Sequence, residues 1–134
     1  MSSPEARTTI EQNKALMTRW FEEVWNQGRR EAIHQLFAPE CVLHDGSRQI
    51  RGPEEFCKFY DGLRSEFCEF KVTPDITLAQ DDLVSLRWHV SCRHTPTEKP
   101  VEFHGISIAR VKNGQFIEAW QNWDAAGVAA QIAS

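Results

Sequence analysis

Acid–base chemistry without a cofactor needs a carboxylate or an imidazole beside a hydrogen-bond donor. His44 and Asp45 are the first candidates, adjacent in a stretch that reads as a strand around Cys41–His44. Neighbouring strand residues point to opposite faces, so only one of the two enters an interior site. The bland alternative is a polar rim or turn pair. His94 falls on the inward face at the end of a later strand, either lining a cavity mouth or serving as a satisfied structural histidine. His89 and His104 fall on outward faces, and His34 reads as exposed on a short helix. Asp124 is better placed to cap a final helix than to catalyse. Arg48 and Arg51 read as solvated loop residues, with an anionic ligand as the alternative. Cys41 with His44 and Cys92 with His94 raise a zinc site, but only the second pair shares a strand face. Buried free thiols are the commoner fate of such cysteines, and no metal is expected.

These groups sit in a chain of 134 residues with 15 basic and 19 acidic side chains, a formal charge of −4. Apolar residues make up 41%, and five Trp and eight Phe stand against one Tyr. That composition describes one domain over residues 1–134, with the polar stretch 1–7 expected to be disordered. The mild acidity argues against a nucleic-acid partner, and no apolar run approaches the ~18 residues of a membrane span. Residues 1–7 have no apolar core and so are not a secretion signal. With four cysteines in no close-paired spacing, the expectation is a reducing, cytoplasmic setting.

Hydrophobic periodicity gives the elements. Ile10, Leu16, Met17, Trp20, Phe21, Val24 and Trp25 fall at helical spacing, with Thr8 and Glu11 as a capping box and Gly28 past the end. A second helix is expected over about 30–38, stopped by Pro39, and a third is opened by Pro53 with Phe56, Phe59, Tyr60, Leu63 and Phe67 as a core stripe. From Phe70 the period becomes two, giving strands near 70–78, 83–94, 101–112 and 115–123 and an α+β architecture.

The strand faces locate a possible pocket. Trp88 and His94 share the inward face of their strand; Phe103, Gly105, Ser107 and Ala109 share that of the next. Three consecutive small inward residues leave room either for a helix or for an empty pocket. Two routes across Asn113-Gly114 are open: a two-residue turn sets Gln121 opposite Ile106, and a three-residue loop sets it opposite Gly105. The second is chosen because it pairs Phe103 with Trp123 and Ile106 with Trp120. Trp88 and Trp123 then read as ligand wall or plain core, with Ser107 and Gln121 as polar anchors. The other face gains Ile106, Ile108, Phe116 and Trp120, too apolar for solvent, and a homodimer through it is expected.

Several stretches resemble one family. Trp20-Phe21-Glu22-Glu23-Val24-Trp25-Asn26-Gln27-Gly28, Phe37-Ala38-Pro39-Glu40 with Val42-Leu43-His44-Asp45, Arg51-Gly52-Pro53-Glu54-Glu55-Phe56 and Trp120-Gln121-Asn122-Trp123-Asp124 are similar to the SnoaL-like polyketide cyclases of the nuclear transport factor 2-like superfamily. The resemblance implies a cone, a bent antiparallel sheet wrapped around three helices with an internal cavity. It also implies metal-free, cofactor-free ring closure by an Asp on the last strand and a His on the strand before it. The matching positions here are Gln121 and Ser107, and an amide is no general base near neutral pH, though it donates hydrogen bonds. Two readings follow: a cavity protein binding a small apolar carbonyl compound with cyclase- or isomerase-type acid–base chemistry drawing on His44, Asp45 or Gln121, and a non-catalytic binding or dimerisation module.

Overall fold

The computed structural model describes residues 4–134, with side chains from Thr9 onward. Helix α1, Pro4–Arg19, runs without interruption into a π-helical stretch, Trp20–Asn26. Then come α2, Glu31–Leu36; β1, Phe37–Asp45; β2, Arg48–Arg51; and α3, Gly52–Glu66. The long strands β3, Phe67–Gln80, β4, Leu83–His94, β5, Lys99–Lys112, and β6, Gln115–Trp123, precede α4, Ala125–Ala133. One sheet holds all six strands in the order β2-β1-β6-β5-β4-β3. Only β1 and β6 are parallel; every other pair is antiparallel. Helices cover the concave face, and the core lies between them and the sheet, as the α+β cone requires.

The sequence periods account for most of these elements, and chain geometry corrects the rest. Residues 4–7 belong to α1 rather than to a disordered tail, and the remainder of that expected tail, residues 1–3, lies outside the described residues. Thr8 is consequently inside the helix and not its cap. The second helix ends at Leu36, so Pro39 lies within β1, where the register with β6 shifts between Phe37 and Val42. Such an interruption is where a strand tolerates proline. Arg48–Arg51, expected as a loop, pairs with β1 as a short strand. Pro53 opens α3, and Glu55 accepts a 2.9 Å hydrogen bond from the Arg51 amide at its start. Asp124 caps α4 by accepting from Gly127 N at 2.9 Å.

The π-helical stretch holds the helices in place. Its winding is visible in the bond from Gln27 N back five residues to Glu22 O, 2.8 Å. Trp20, Phe21 and Val24 are buried along it. Trp20 meets Phe56 of α3 at 5.1 Å and Phe116 of β6 edge-on at 5.7 Å. Tyr60 donates its hydroxyl proton to Val24 O at 2.8 Å in a buried bond. Burial pushes the Tyr60 phenol upward, which favours the neutral donor.

The β5–β6 hairpin is the main departure from expectation. Asn113 and Gly114, both at positive φ, form a two-residue turn, with Lys112 opposite Gln115 and Val111 opposite Phe116. The register then shifts, leaving Ile117 unpaired as a bulge and setting Arg110 opposite Glu118. Gln121 therefore lies opposite Ser107, rather than Gly105, Trp120 opposite Ile108, and Trp123 opposite Gly105. The bulge restores the inward facing of Gln121 and Trp123. Phe116 precedes it and points the other way from the expectation: it is 3% exposed, in the core, and does not contribute to the outer face.

Tyr60→Phe removes the donor to a buried carbonyl of the π-helical stretch. A loss of about 1–3 kcal/mol is expected, read as a lower urea midpoint with an unchanged slope.

Candidate functional site

The small inward residues of β5 serve a tryptophan. A Cβ on Gly105 would fall 2.2 Å from Cη2 of Trp88, so the indole lies directly on the glycine. Its N–H donates to Ser107 Oγ at 3.0 Å, two residues along the same strand face. Helix approach and empty pocket were the two readings of these small positions; the room belongs largely to the Trp88 ring.

What remains open is a cavity of about 70 Å³, lined by side chains of the π-helical stretch, α3, β3, β4, β5, β6 and α4. Phe103 forms one wall, edge-on to Trp88 at 5.9 Å and 5.5 Å from Trp123. Of the thirteen lining residues only Gln121 is polar. Its side-chain amide makes no hydrogen bond to the protein among the described residues, although it faces mostly apolar surroundings. A second, smaller space of about 40 Å³ adjoins, with Ser107 and Gln121 as its polar members. An apolar cavity of ~150 Å³ is known to take up benzene; this space is about half that volume and is partly open to solvent.

The acidic and imidazole candidates are divided between the faces. Asp45 lies opposite Gln121 across the parallel β1–β6 pair and is on the inner side; His44, opposite Trp120, is on the outer side. Asp45 Oδ1 accepts from Trp123 Nε1 at 3.1 Å and Oδ2 from Arg48 at 3.0 Å, and its side chain is 8% exposed. It reaches the cavity only through the Trp123 indole, which it orients. His44 meets Glu118 at 2.9 Å and stacks on Trp120 at 5.6 Å. His94 does not line the cavity: Nδ1 bonds Thr97 Oγ1 at 2.7 Å and Nε2 lies 3.4 Å from Glu66 Oε1, so it ties the end of β4 to the end of α3. Cys41 is buried while His44 faces outward, so this pair does not converge. Burial pushes the Cys41 thiol up to about 12 and Cys92 up to about 11, leaving both protonated and inert.

Sequence reasoning assigned the wall of α3 to the core. Phe59 and Leu63 form an i, i+4 pair that is only partly buried and lines the cavity, as do Phe70 and Val128. The stripe pattern marks an inward face but carries no information on whether that face meets atoms or space.

Gly105→Ala tests the seat of Trp88. Displacement of the indole from Ser107 is expected to cost about 1–3 kcal/mol, measured by urea unfolding, with a changed near-ultraviolet dichroism from the shifted ring.

The fold has counterparts among solved structures. IdmH from Streptomyces antibioticus superposes with a TM-score of 0.81 at 23% identity, covering 92% of this chain and 99% of its own. A SnoaL-like protein from Jannaschia Sp. CCS1 gives 0.88 at 19% identity, covering 100% and 97%. An M. tuberculosis LEH-like epoxide hydrolase gives 0.76 at 13% identity, covering 92% and 91%. At these identities the likeness establishes the cone and not the chemistry. No curated protein matches the chain. The family model described as SnoaL-like polyketide cyclase matches residues 15–132, and with the cone it anticipates already in place, the chain belongs to the SnoaL-like polyketide cyclase family.

Proposed function

We propose that this protein binds a small apolar carbonyl compound in its cone, with the Gln121 amide donating a hydrogen bond to the carbonyl oxygen. The observation that carries this reading is the unpartnered amide as the lone polar group in an otherwise apolar wall. The amide is only partly buried and reaches solvent, so a ligand carbonyl that displaces water supplies it with an acceptor. Such a bond also favours negative charge on that oxygen, which is half of what enolisation needs. The other half is a base. Asp45, across the strand pair from Gln121, has both oxygens engaged by Trp123 and Arg48. Binding and carbonyl polarisation are therefore favoured over turnover, without a cofactor.

A second role rests on a separate observation. Among the described residues, the exposed large hydrophobics are Ile76, Leu78, Ile106 and Ile108. The ladder places Ile76 opposite Arg87 and Arg87 opposite Ile106, and Leu78 opposite Ser85 and Ser85 opposite Ile108, so all four share the outer face with Trp120. Exposed apolar area gathered on one face marks an interface, and we read it as a homodimer face. Four free cysteines fit the reducing, cytoplasmic setting that the sequence suggests.

Two measurements test these readings. Gln121→Leu keeps the shape and removes the amide; it is expected to weaken 2-butanone binding about tenfold, followed by amide chemical shifts. Equal affinity for the two proteins would overturn the anchor role. Sedimentation at tens of micromolar is expected to show a dimer, and Ile108→Lys a folded monomer; a monomeric parent protein would sink the interface.

A further inference from the structure

Two imidazoles on the outer face of the sheet take no part in the cavity. His89 of β4 and His104 of β5 are directly opposed in the antiparallel ladder, so both side chains leave the sheet on the same side. Their ring centroids are 4.9 Å apart, with the planes inclined at 54°. His34, His44 and His94 are engaged by Cys57, Glu118 and Thr97. Among the described residues, His89 and His104 make no side-chain hydrogen bond, and the nearest charged group is Glu102, whose Oε1 lies 3.6 Å from His89 Nε2. The pair sits past the end of β6, which pairs no further along β5 than Gly105, at the margin of the apolar outer face.

We propose that His89 and His104 form a surface chelate for a divalent transition-metal ion of the zinc, copper or nickel class, which imidazole suits. The spacing is the one a shared ion requires. Zinc binds imidazole nitrogen at about 2.0–2.1 Å, which puts each ring centroid roughly 3.2 Å from the ion, and ligand angles of about 90–110° then set two centroids roughly 4.5–5.3 Å apart. The ladder holds the two strands at this separation, so folding has already assembled the pair. The surroundings favour a cation: Glu102 sets a carboxylate beside the His89 ring, and Arg87, two residues before His89 on the same face, is engaged by Asp75. No three His, Cys, Asp or Glu side chains among the described residues converge into a closed metal centre. The site therefore offers two protein ligands and leaves the other positions to water. Both nitrogens come from one chain, so the proposal needs neither the ligand-binding reading of the cavity nor the homodimer.

The test titrates Zn²⁺ into the full chain and follows the imidazole signals of His89 and His104 by nuclear magnetic resonance. Both signals are expected to move together with one midpoint, and Mg²⁺, which prefers oxygen ligands, is expected to move neither. His89→Gln is expected to weaken Zn²⁺ binding at His104 by about tenfold or more, and His104→Gln to weaken it at His89 to the same degree, because each removes half of the chelate. Far-ultraviolet dichroism checks that each variant is folded. An affinity at His104 that is the same in folded His89→Gln as in the parent protein means two independent surface histidines and overturns the proposal. Signals that titrate at different Zn²⁺ concentrations overturn it on the same ground. A response to Mg²⁺ equal to that for Zn²⁺ points to the charge of Glu102 rather than to the imidazoles, and it also sinks the chelate. So does the absence of any movement at millimolar Zn²⁺.

Discussion

Ile117 has no partner across the β5–β6 ladder, and that one unpaired residue sets the facing of everything after it. Strand side chains alternate, so a single inserted residue exchanges the two faces downstream. Before the bulge, Phe116 points inward and closes the core against Trp20. After it, Gln121 and Trp123 point inward while Trp120 stands outside against His44. Without the bulge, a two-residue turn would carry Gln121 to the outer face, and the cavity wall would lose its polar member. The site thus depends on a backbone irregularity in a strand whose side chains give no sign of it.

Two open stretches of strand edge are closed by amides that imitate strand neighbours. β3 lies at one edge, and there Asn26 accepts from Val72 N at 2.6 Å and donates to Val72 O at 2.9 Å. β6 ends opposite Gly105, so β5 continues without it; Gln131 of α4 accepts from Glu102 N at 2.9 Å and donates to Glu102 O at 2.7 Å. Each amide satisfies one backbone donor and one acceptor, the valences that make an unpaired edge sticky. The same bonds fix the π-helical stretch and α4 against the sheet, and these two elements supply Phe21, Trp25 and Val128 to the cavity wall. Edge protection and site construction are one arrangement.

The chemistry follows from how completely the polar groups are already used. Asp45 is spent on Trp123 and Arg48, His94 on Thr97 and Glu66, and Ser107 on Trp88. These bonds rigidify the wall, and they leave Gln121 as the polar side chain of the larger cavity with capacity for a ligand, while Ser107 in the smaller space keeps its hydroxyl proton. A rigid apolar wall with one open hydrogen-bonding group orients a bound carbonyl without supplying a base.

Local pattern alone determined most of the helices and strands, because periods of 3.6 and two are written in consecutive residues. It also determined that Trp88 faces inward, that Phe103 and Ser107 share a face, and that Asp124 caps α4. The tertiary structure decided the rest. That Trp88 occupies the space left by Gly105 depends on contact across two strands, which no spacing encodes. That Asp45 rather than His44 turns inward depends on the parallel pairing of β1 with β6, strands some seventy residues apart. The withdrawal of His94 from the cavity required α3 to bring Glu66 to it. In each case the deciding partner is distant in sequence, so its effect becomes visible only when packing has brought the surfaces together.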